Sequence, residues 1–247
     1  MINLLQGDCL QLMKEIPSGS VDAIITDPPY GTTACKWDSV IDFKLMWDQL
    51  NRIIKPNGAI VLFGSEPFSS ALRMSNIKNY KYDWIWRKTI AGNPMLAKKQ
   101  PLRVSENISV FYKSQCLYNR QMTETKGKVR DRRKEIHFGS ESKNTIISIS
   151  KSGHSNDYNP SLRSPKNVID VNSIRGKHPT QKPVALMEYL VKTYTNEGEI
   201  VLDFTMGSGT TMVACQNTNR NGIGIEQDEK YFNIASNRVE QNKYSLF

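Results

Sequence analysis

Seven short apolar runs recur along the chain: INLL at 2–5, AIIT at 23–26, AIVLF at 59–63, DWIW at 83–86, ISVFY at 108–112, IVLDF at 200–204 and GIGIE at 222–226. Runs this short, mostly apolar on consecutive positions, read as strands buried on both faces. Between them, FKLMWDQLNRIIKPNG (43–58) has apolar residues at helical spacing and stops at Pro-Asn-Gly before the next strand. PVALMEYLVKTYTNEG (183–198), with Pro183 in its first turn, and TTMVACQNTNRNG (210–222) repeat the pattern. That alternation predicts an α/β fold: a mainly parallel sheet with helices on both faces. From about Gln115 to Arg175 the rhythm breaks into Ser, Asn, Lys and Arg, with NTIISIS (144–150) the one clear apolar run. So much irregular chain is expected to be a binding insertion or a partly disordered excursion.

At 247 residues the chain can bury a substantial single core. No run approaches about 18 apolar residues, so no membrane span is expected. The N-terminus MINLLQGDCL lacks the pattern of a signal peptide, which makes cytoplasmic residence the expectation. Cys9, Cys35, Cys116 and Cys215 stand apart and only three histidines occur, so neither a metal site nor a disulfide framework is expected. The net charge of +9 is unevenly placed: residues 113–182 hold 15 Lys and Arg against 6 Asp and Glu, and the rest of the chain holds 18 of each sign. Within that segment lies KGKVRDRRKE, whose Lys126, Lys128, Arg130, Arg132, Arg133 and Lys134 are candidate phosphate contacts. A solvated face is the plain alternative, but confinement of the whole excess to one segment favours a nucleic-acid partner.

IVLDFTMGSGTTMVAC (200–215) reads as a strand, an acid at its end, a Gly-Ser-Gly turn and a helix. Glycines there let a ligand approach the backbone, and a helix N-terminus offers free N–H donors. About twenty residues on, a second strand ends in Glu226, an acid placed to hold a ribose diol. Neither GxGxxG nor a Walker lysine sequence is present, so a pyrophosphate is not indicated. An adenosine compound with an amino-acid tail, S-adenosylmethionine, fits this pattern.

With DPPY at 27–30 before and LDFTMGSGTT at 202–211 after, the chain resembles the amino-group DNA methyltransferases, which modify adenine N6 or cytosine N4. Catalytic motif first and cofactor glycines last is similar to the permuted beta class of that family. GDCL (7–10), WRKTIAGNPMLAKKQPLRVSENISVFYK (86–113) and GKHPTQKPVALMEYLVKTYTNEGEIVLDF (176–204) extend the likeness to most of the chain outside 115–164. The resemblance implies a Rossmann-like methyltransferase fold: a mainly parallel seven-stranded sheet with an antiparallel hairpin, in circularly permuted order. Residues 1–114 would be the catalytic half, 115–175 a basic target-recognition insertion and 176–247 the cofactor half. A homodimer is compatible with the class. One departure stands out: the family commonly reads Asp-Pro-Phe where this chain has Asp203-Phe204-Thr205.

The resemblance also assigns roles. An exocyclic amine is a poor nucleophile because its lone pair is delocalised into the ring. Asp27 is expected to accept one of its protons and the Pro28 carbonyl the other, with Pro28 and Pro29 fixing both in advance. Tyr30 is expected to offer a face to an extruded base. By itself DPPY is equally a plain turn. For the cofactor, Gly207, Ser208, Gly209 and Thr210 are expected around the methionine part, beside Asp203 and Phe204. Glu226 is expected on the ribose, Asp8 on the adenine amine (or as a helix cap), and Thr180 and Lys182 on the carboxylate. A cytosine-C5 enzyme needs a Pro-Cys pair, and no cysteine here follows a proline. Asp27 favours adenine, since the family leans to Ser there for cytosine N4. A DNA-binding protein of the same fold without activity is the rival from another class.

Overall fold

The computed structural model describes residues 1–32, 38–92, 94–125, 159, 161–174 and 181–245. The expected NTIISIS run and the basic residues of 126–134 lie outside them, as does Thr180. The chain forms two units, one of residues 1–119 with 166–247 and one of 120–165. Segments 115–119 and 166–174, which the sequence reading places in the insertion, therefore belong to the larger unit.

All seven expected strands form in that unit. They are β1 (Ile2–Gln6), β2 (Val21–Thr26), β3 (Ile54–Gly64), β4 (Tyr80–Gly92), β5 (Arg103–Phe111), β9 (Ile200–Asp203) and β10 (Asn221–Glu226). An eighth, β8 (Val168–Asp170), extends the sheet beyond the expected seven, in the order β1-β10-β9-β2-β3-β5-β4-β8. Val168 and Asp170 are exposed and only Ile169 is buried, so the segment carries no apolar run by which to read it as a strand. Five neighbours from β1 to β3 run parallel; β5 pairs antiparallel with both β3 and β4, and β8 runs parallel to β4. Described residues of the smaller unit form one antiparallel pair, β6 (Thr123–Glu124) with β7 (Leu162–Arg163).

Helices cover both faces because the strands are apolar on both. Ala23 and Ile25 of β2 join the cluster under α4 (Val184–Tyr194) and α5 (Thr210–Asn217). Val21 and Ile24 join the cluster under α1 (Cys9–Leu12), α2 (Phe43–Ile53) and α3 (Phe68–Ser75). The last helix, α6 (Glu229–Ser245), packs Ala235 against Met206 and Met212. Asp42 caps α2 by accepting the Leu45 N–H at 2.9 Å, and Pro183 occupies the N-cap of α4 with φ −63°. The Pro-Asn-Gly expected between α2 and β3 lies inside β3, where the register against β2 shifts. A Cβ at Gly58 would come within 2.7 Å of the Asp22 carbonyl, so that irregularity requires glycine.

Among the described residues no helix is long and apolar enough to cross a membrane, and no group of three or more His, Cys, Asp or Glu is placed to hold a metal. Deep in the core, Tyr194 at the end of α4 accepts the Trp84 Nε1–H at 2.7 Å and shares a hydroxyl contact of 2.9 Å with Tyr82. Tyr194→Phe leaves a buried indole N–H without its acceptor, and the expected cost is about 1–3 kcal/mol. Urea denaturation compared with wild type reads that loss; an unchanged midpoint would show that this bond does not secure α4 to β4.

Candidate active site

The carboxyl ends of β9 and β2 lie side by side, and their onward connections lead to opposite sides of the sheet, β9 to β10 and β2 to β3. Ligands of open α/β sheets bind in the crevice at such a switch point. Here it opens into a cavity of about 780 Å³ lined by Asp27, Pro28, Pro29 and Tyr30 from the end of β2 and by Asp203 to Ser208 from the end of β9. Glu226, Gly7 and Asp8 also line it, as does Lys182. Residues separated by about 200 positions in sequence thus share one cavity.

The two halves of the site are fastened to each other. Asp203 is buried and accepts the hydroxyls of Thr26 and Thr211 and the Thr205 N–H at 3.2 Å. Thr205 Oγ1 in turn donates to the Asp27 carbonyl at 3.1 Å and lies 3.0 Å from Thr26 Oγ1. Burial pushes the Asp203 carboxyl from 3.8 up to about 6, opposed by the hydroxyls it accepts. Phe204 is 1 % exposed and packs in the core cluster, and it also lines the cavity.

Beyond it, Gly207 and Gly209 have φ of +53° and +76°, and Gly209 is the left-handed N-cap of α5. A Cβ at Gly209 would sit 2.9 Å from that of Ala235, so the loop closes onto α6 only with glycine there. The Gly207 N–H donates to Glu226 Oε2 at 2.9 Å, and the Asp228 N–H to Oε1 at 2.8 Å. Burial holds the Glu226 carboxyl above its ordinary value, these backbone donors opposing. Ser208 and Thr210 are engaged by Arg238 of α6, whose Nη1 donates to Ser208 Oγ at 2.9 Å and Thr210 Oγ1 at 3.2 Å. Sequence reasoning missed Arg238, since a lone Arg in a polar helix carries no signal. The Asp8 side chain caps α1 by accepting the Gln11 N–H at 2.9 Å, and it lies on the cavity wall as well.

At the other end, Asp27 is held on both oxygens: Tyr30 Oη donates to Oδ1 and Lys182 Nζ to Oδ2. The sequence reading expects Lys182 on the cofactor carboxylate; in the structure its ammonium is directed at Asp27. Its ammonium also lies 3.3 Å from Glu106 Oε2 and 5.1 Å from the centre of the Phe63 ring. Glu106 pairs with Lys88 in turn. Burial works against the Lys182 charge, but Asp27 and Glu106 outweigh it and hold the ammonium above its usual value. Burial raises the Asp27 carboxyl, Lys182 opposing and Glu106 reinforcing. Burial and the Asp27 charge keep the Tyr30 phenol well above its ordinary range, so it remains a donor. The Tyr30 ring rests against Phe68, centroids 5.0 Å apart. The turn that follows is pinned by Asp38, whose carboxylate accepts the N–H groups of Tyr30, Gly31 and Thr32 at 2.7, 2.8 and 2.9 Å. The Pro28 carbonyl accepts no hydrogen bond among the described residues.

These residues fit a nucleoside cofactor with an amino-acid tail. Each oxygen of Glu226 takes one backbone N–H and keeps acceptor capacity for a diol. A cavity this size leaves room for a second group beside the cofactor. A held carboxylate, the Pro28 carbonyl, a glycine loop and Glu226 on the wall of one cavity fit a group-transfer enzyme of the Rossmann-like methyltransferase class. A family profile described as DNA methylase, covering N6 and N4 enzymes, matches residues 21–237. The chain belongs to this family and is an S-adenosylmethionine-dependent DNA methyltransferase.

Similar proteins include the type II methyltransferase M.HpaI of Haemophilus parainfluenzae, 28% identical over 96% of this chain and 74% of that one. M.HinfI of Haemophilus influenzae, also a type II methyltransferase, is 26% identical over 97% of this chain and 68% of its own length. Among solved structures, the M1.HpyAVI–SAM complex matches at 28% identity and a TM-score of 0.64, covering 96% of this chain and all of that one.

The raised Asp203 carboxyl has a defined effect on stability. A group whose folded pKa exceeds its unfolded value contributes stability that is present below about pH 4 and lost as pH rises through about 6. The stability of wild type relative to Asp203→Asn is therefore expected to fall between pH 4 and pH 6 and to stay level above. Urea midpoints across that range read it; a flat difference would overturn the assignment.

Proposed function

We propose that the protein methylates the N6 amino group of adenine in DNA at a specific sequence, by direct displacement on an extruded base. The observation that carries this reading is the Asp27 carboxylate, gripped by Tyr30 and Lys182 beside a free Pro28 carbonyl, in the cavity that also holds Gly207 and Glu226. When bound, S-adenosylmethionine supplies an electrophilic methyl group on sulfonium. The residues proposed to hold it are Gly207 and Ser208 with neighbouring Gly209 and Thr210, Glu226 on the ribose diol and Asp8 on the adenine ring. Thr180 remains assigned to its carboxylate from the sequence.

Asp27 and the Pro28 carbonyl accept the two amine protons and turn the nitrogen lone pair toward the methyl group. Asp27 would take the proton that N6 gives up on methylation, which leaves the product amine neutral. A carboxyl whose burial raises its proton affinity suits that role better than an exposed one. Lys182 keeps Asp27 aimed and ionised, and Tyr30 fixes its second oxygen. An acid at position 27 supports adenine over cytosine N4, for which the family leans to Ser. The fold alone does not select the base: the PvuII cytosine-N4-specific methyltransferase shares it, at 16% identity and a TM-score of 0.64. The late position of β9 and β10 in the chain supports the permuted order, and the basic run supports target recognition by the 115–175 segment.

The first test is incubation with S-adenosylmethionine and mixed-sequence DNA, digestion to nucleosides and mass spectrometry, with Asp27→Ala as control. N6-methyladenine is expected from wild type and not from the variant; N4-methylcytosine would overturn the choice of base. A second test separates the two readings of Lys182. Lys182→Met is expected to leave the Kd for S-adenosylmethionine unchanged and to move the acid limb of the pH–rate profile to higher pH, because Asp27 loses the cation that favours its charge. Lys182→Arg is expected to restore part of the rate. A weakened cofactor Kd with an unmoved pH profile would return Lys182 to the cofactor carboxylate.

A further inference from the structure

The turn between β4 and β5 presents exposed apolar side chains next to the cavity. Met95 is 92 % exposed, with Leu96 and Leu102 at 37 % and 41 %. The turn is built rather than frayed: the Lys99 and Gln100 N–H groups donate to the Leu96 carbonyl at 2.8 and 3.0 Å, and the Ala97 N–H to that of Pro94 at 3.2 Å. Charge surrounds it with one sign. Between Asp83 and Glu106 there are five Lys and Arg and no acid. Arg87 is matched by Asp170 at 2.6 Å, Lys88 pairs with Glu106, and Arg103 donates to Ser65. Lys98 and Lys99 are exposed and have no partner among the described residues.

Position decides what such a tip meets. Ile90, Ala91 and Gly92, at the root of the turn, line the same cavity as Asp27 and Tyr30. A base that enters this cavity from a duplex brings its neighbouring phosphates and the gap it leaves up to that rim. Exposed apolar side chains grouped on one turn beside a cavity mark a contact surface more than scattered ones do. Beside free lysines they match a duplex opened at one base pair, where apolar wedges fill the vacated stack and cations neutralise phosphate.

Resting on the DNA methyltransferase reading, we propose that the β4–β5 tip docks on DNA at the target base, Lys98 and Lys99 on backbone phosphates and Met95 in the space the extruded adenine vacates. It would be a DNA contact distinct in sequence from the basic run of 126–134, and it ties extrusion to the cavity rim.

The experiment uses the full chain. Duplex affinity is measured by fluorescence anisotropy from low to moderate salt for wild type and for Lys98→Ala/Lys99→Ala. Each phosphate contact contributes about 0.9 to the slope of log K against log salt, so the double variant is expected to lose about 1.8 of it. The methylated adenine is then mapped by sequencing plasmid treated with wild type, and a duplex carrying 2-aminopurine there is titrated with wild type and Met95→Ala. A fluorescence rise with wild type that is largely lost in Met95→Ala supports the wedge. Cofactor titration of each variant certifies its fold. An unchanged salt slope, no rise with wild type, or an equal rise in Met95→Ala overturns the proposal. So does a variant whose sedimentation changes without DNA, which would make the patch a contact between copies of the chain. Failure of the mapping step itself would instead count against the methyltransferase reading, so the two failures are distinguishable.

Discussion

One buried carboxylate ties the catalytic and cofactor sides of this site together. Asp203 ends β9 and takes hydroxyls from Thr26, the last residue of β2, and from Thr211, in the first turn of α5. Parallel neighbouring strands bring their carboxyl ends together, but only a specific bond fixes the loops that leave them. Without it, the link between the Asp27 turn and the Gly207 loop would rest on Thr205, which donates to the Asp27 carbonyl at 3.1 Å. Desolvation of that acid is the physical cost, visible as its raised proton affinity, and three donors offset it. The role expected of Asp203 at the cofactor is thereby joined to a structural one.

The charges near Asp27 follow the same logic. Asp27, Lys182, Glu106 and Lys88 alternate in sign from the cavity wall to the β4 strand, so each buried charge faces an opposite one. Removing one member of such a chain exposes its neighbour to uncompensated burial, which makes the set act as a unit. It also explains the direction of the Lys182 side chain: two carboxylates are within its reach, and together they outweigh what burial costs its ammonium.

The apolar runs identified seven strands, because central strands such as β2 and β3 are buried on both faces and must be apolar there; β1 and β4 carry the run but are only partly buried. The same rule hid β8, which buries one residue of three at the sheet edge. α3 and α6 likewise passed unread. α6 is mostly polar and anchors through a few contacts such as Ala235, so its apolar stripe is too thin to announce a helix. Pro-Asn-Gly has the composition of a break between elements, yet it sits inside β3, since an irregular register uses the same residues as a turn.

Local sequence determined the chemistry on offer: an acid before two prolines and a tyrosine, glycines before a helix, and an acid ending a strand. Those are short-range facts, written in neighbouring residues. Tertiary structure alone decided the partners. Asp38 reaches back over the Tyr30 turn, Arg238 braces Ser208 from the far end of the chain, and Lys182 crosses 155 positions to Asp27. A side chain's partner is fixed by which strand ends lie together, and a parallel sheet brings together residues that no spacing along the chain relates.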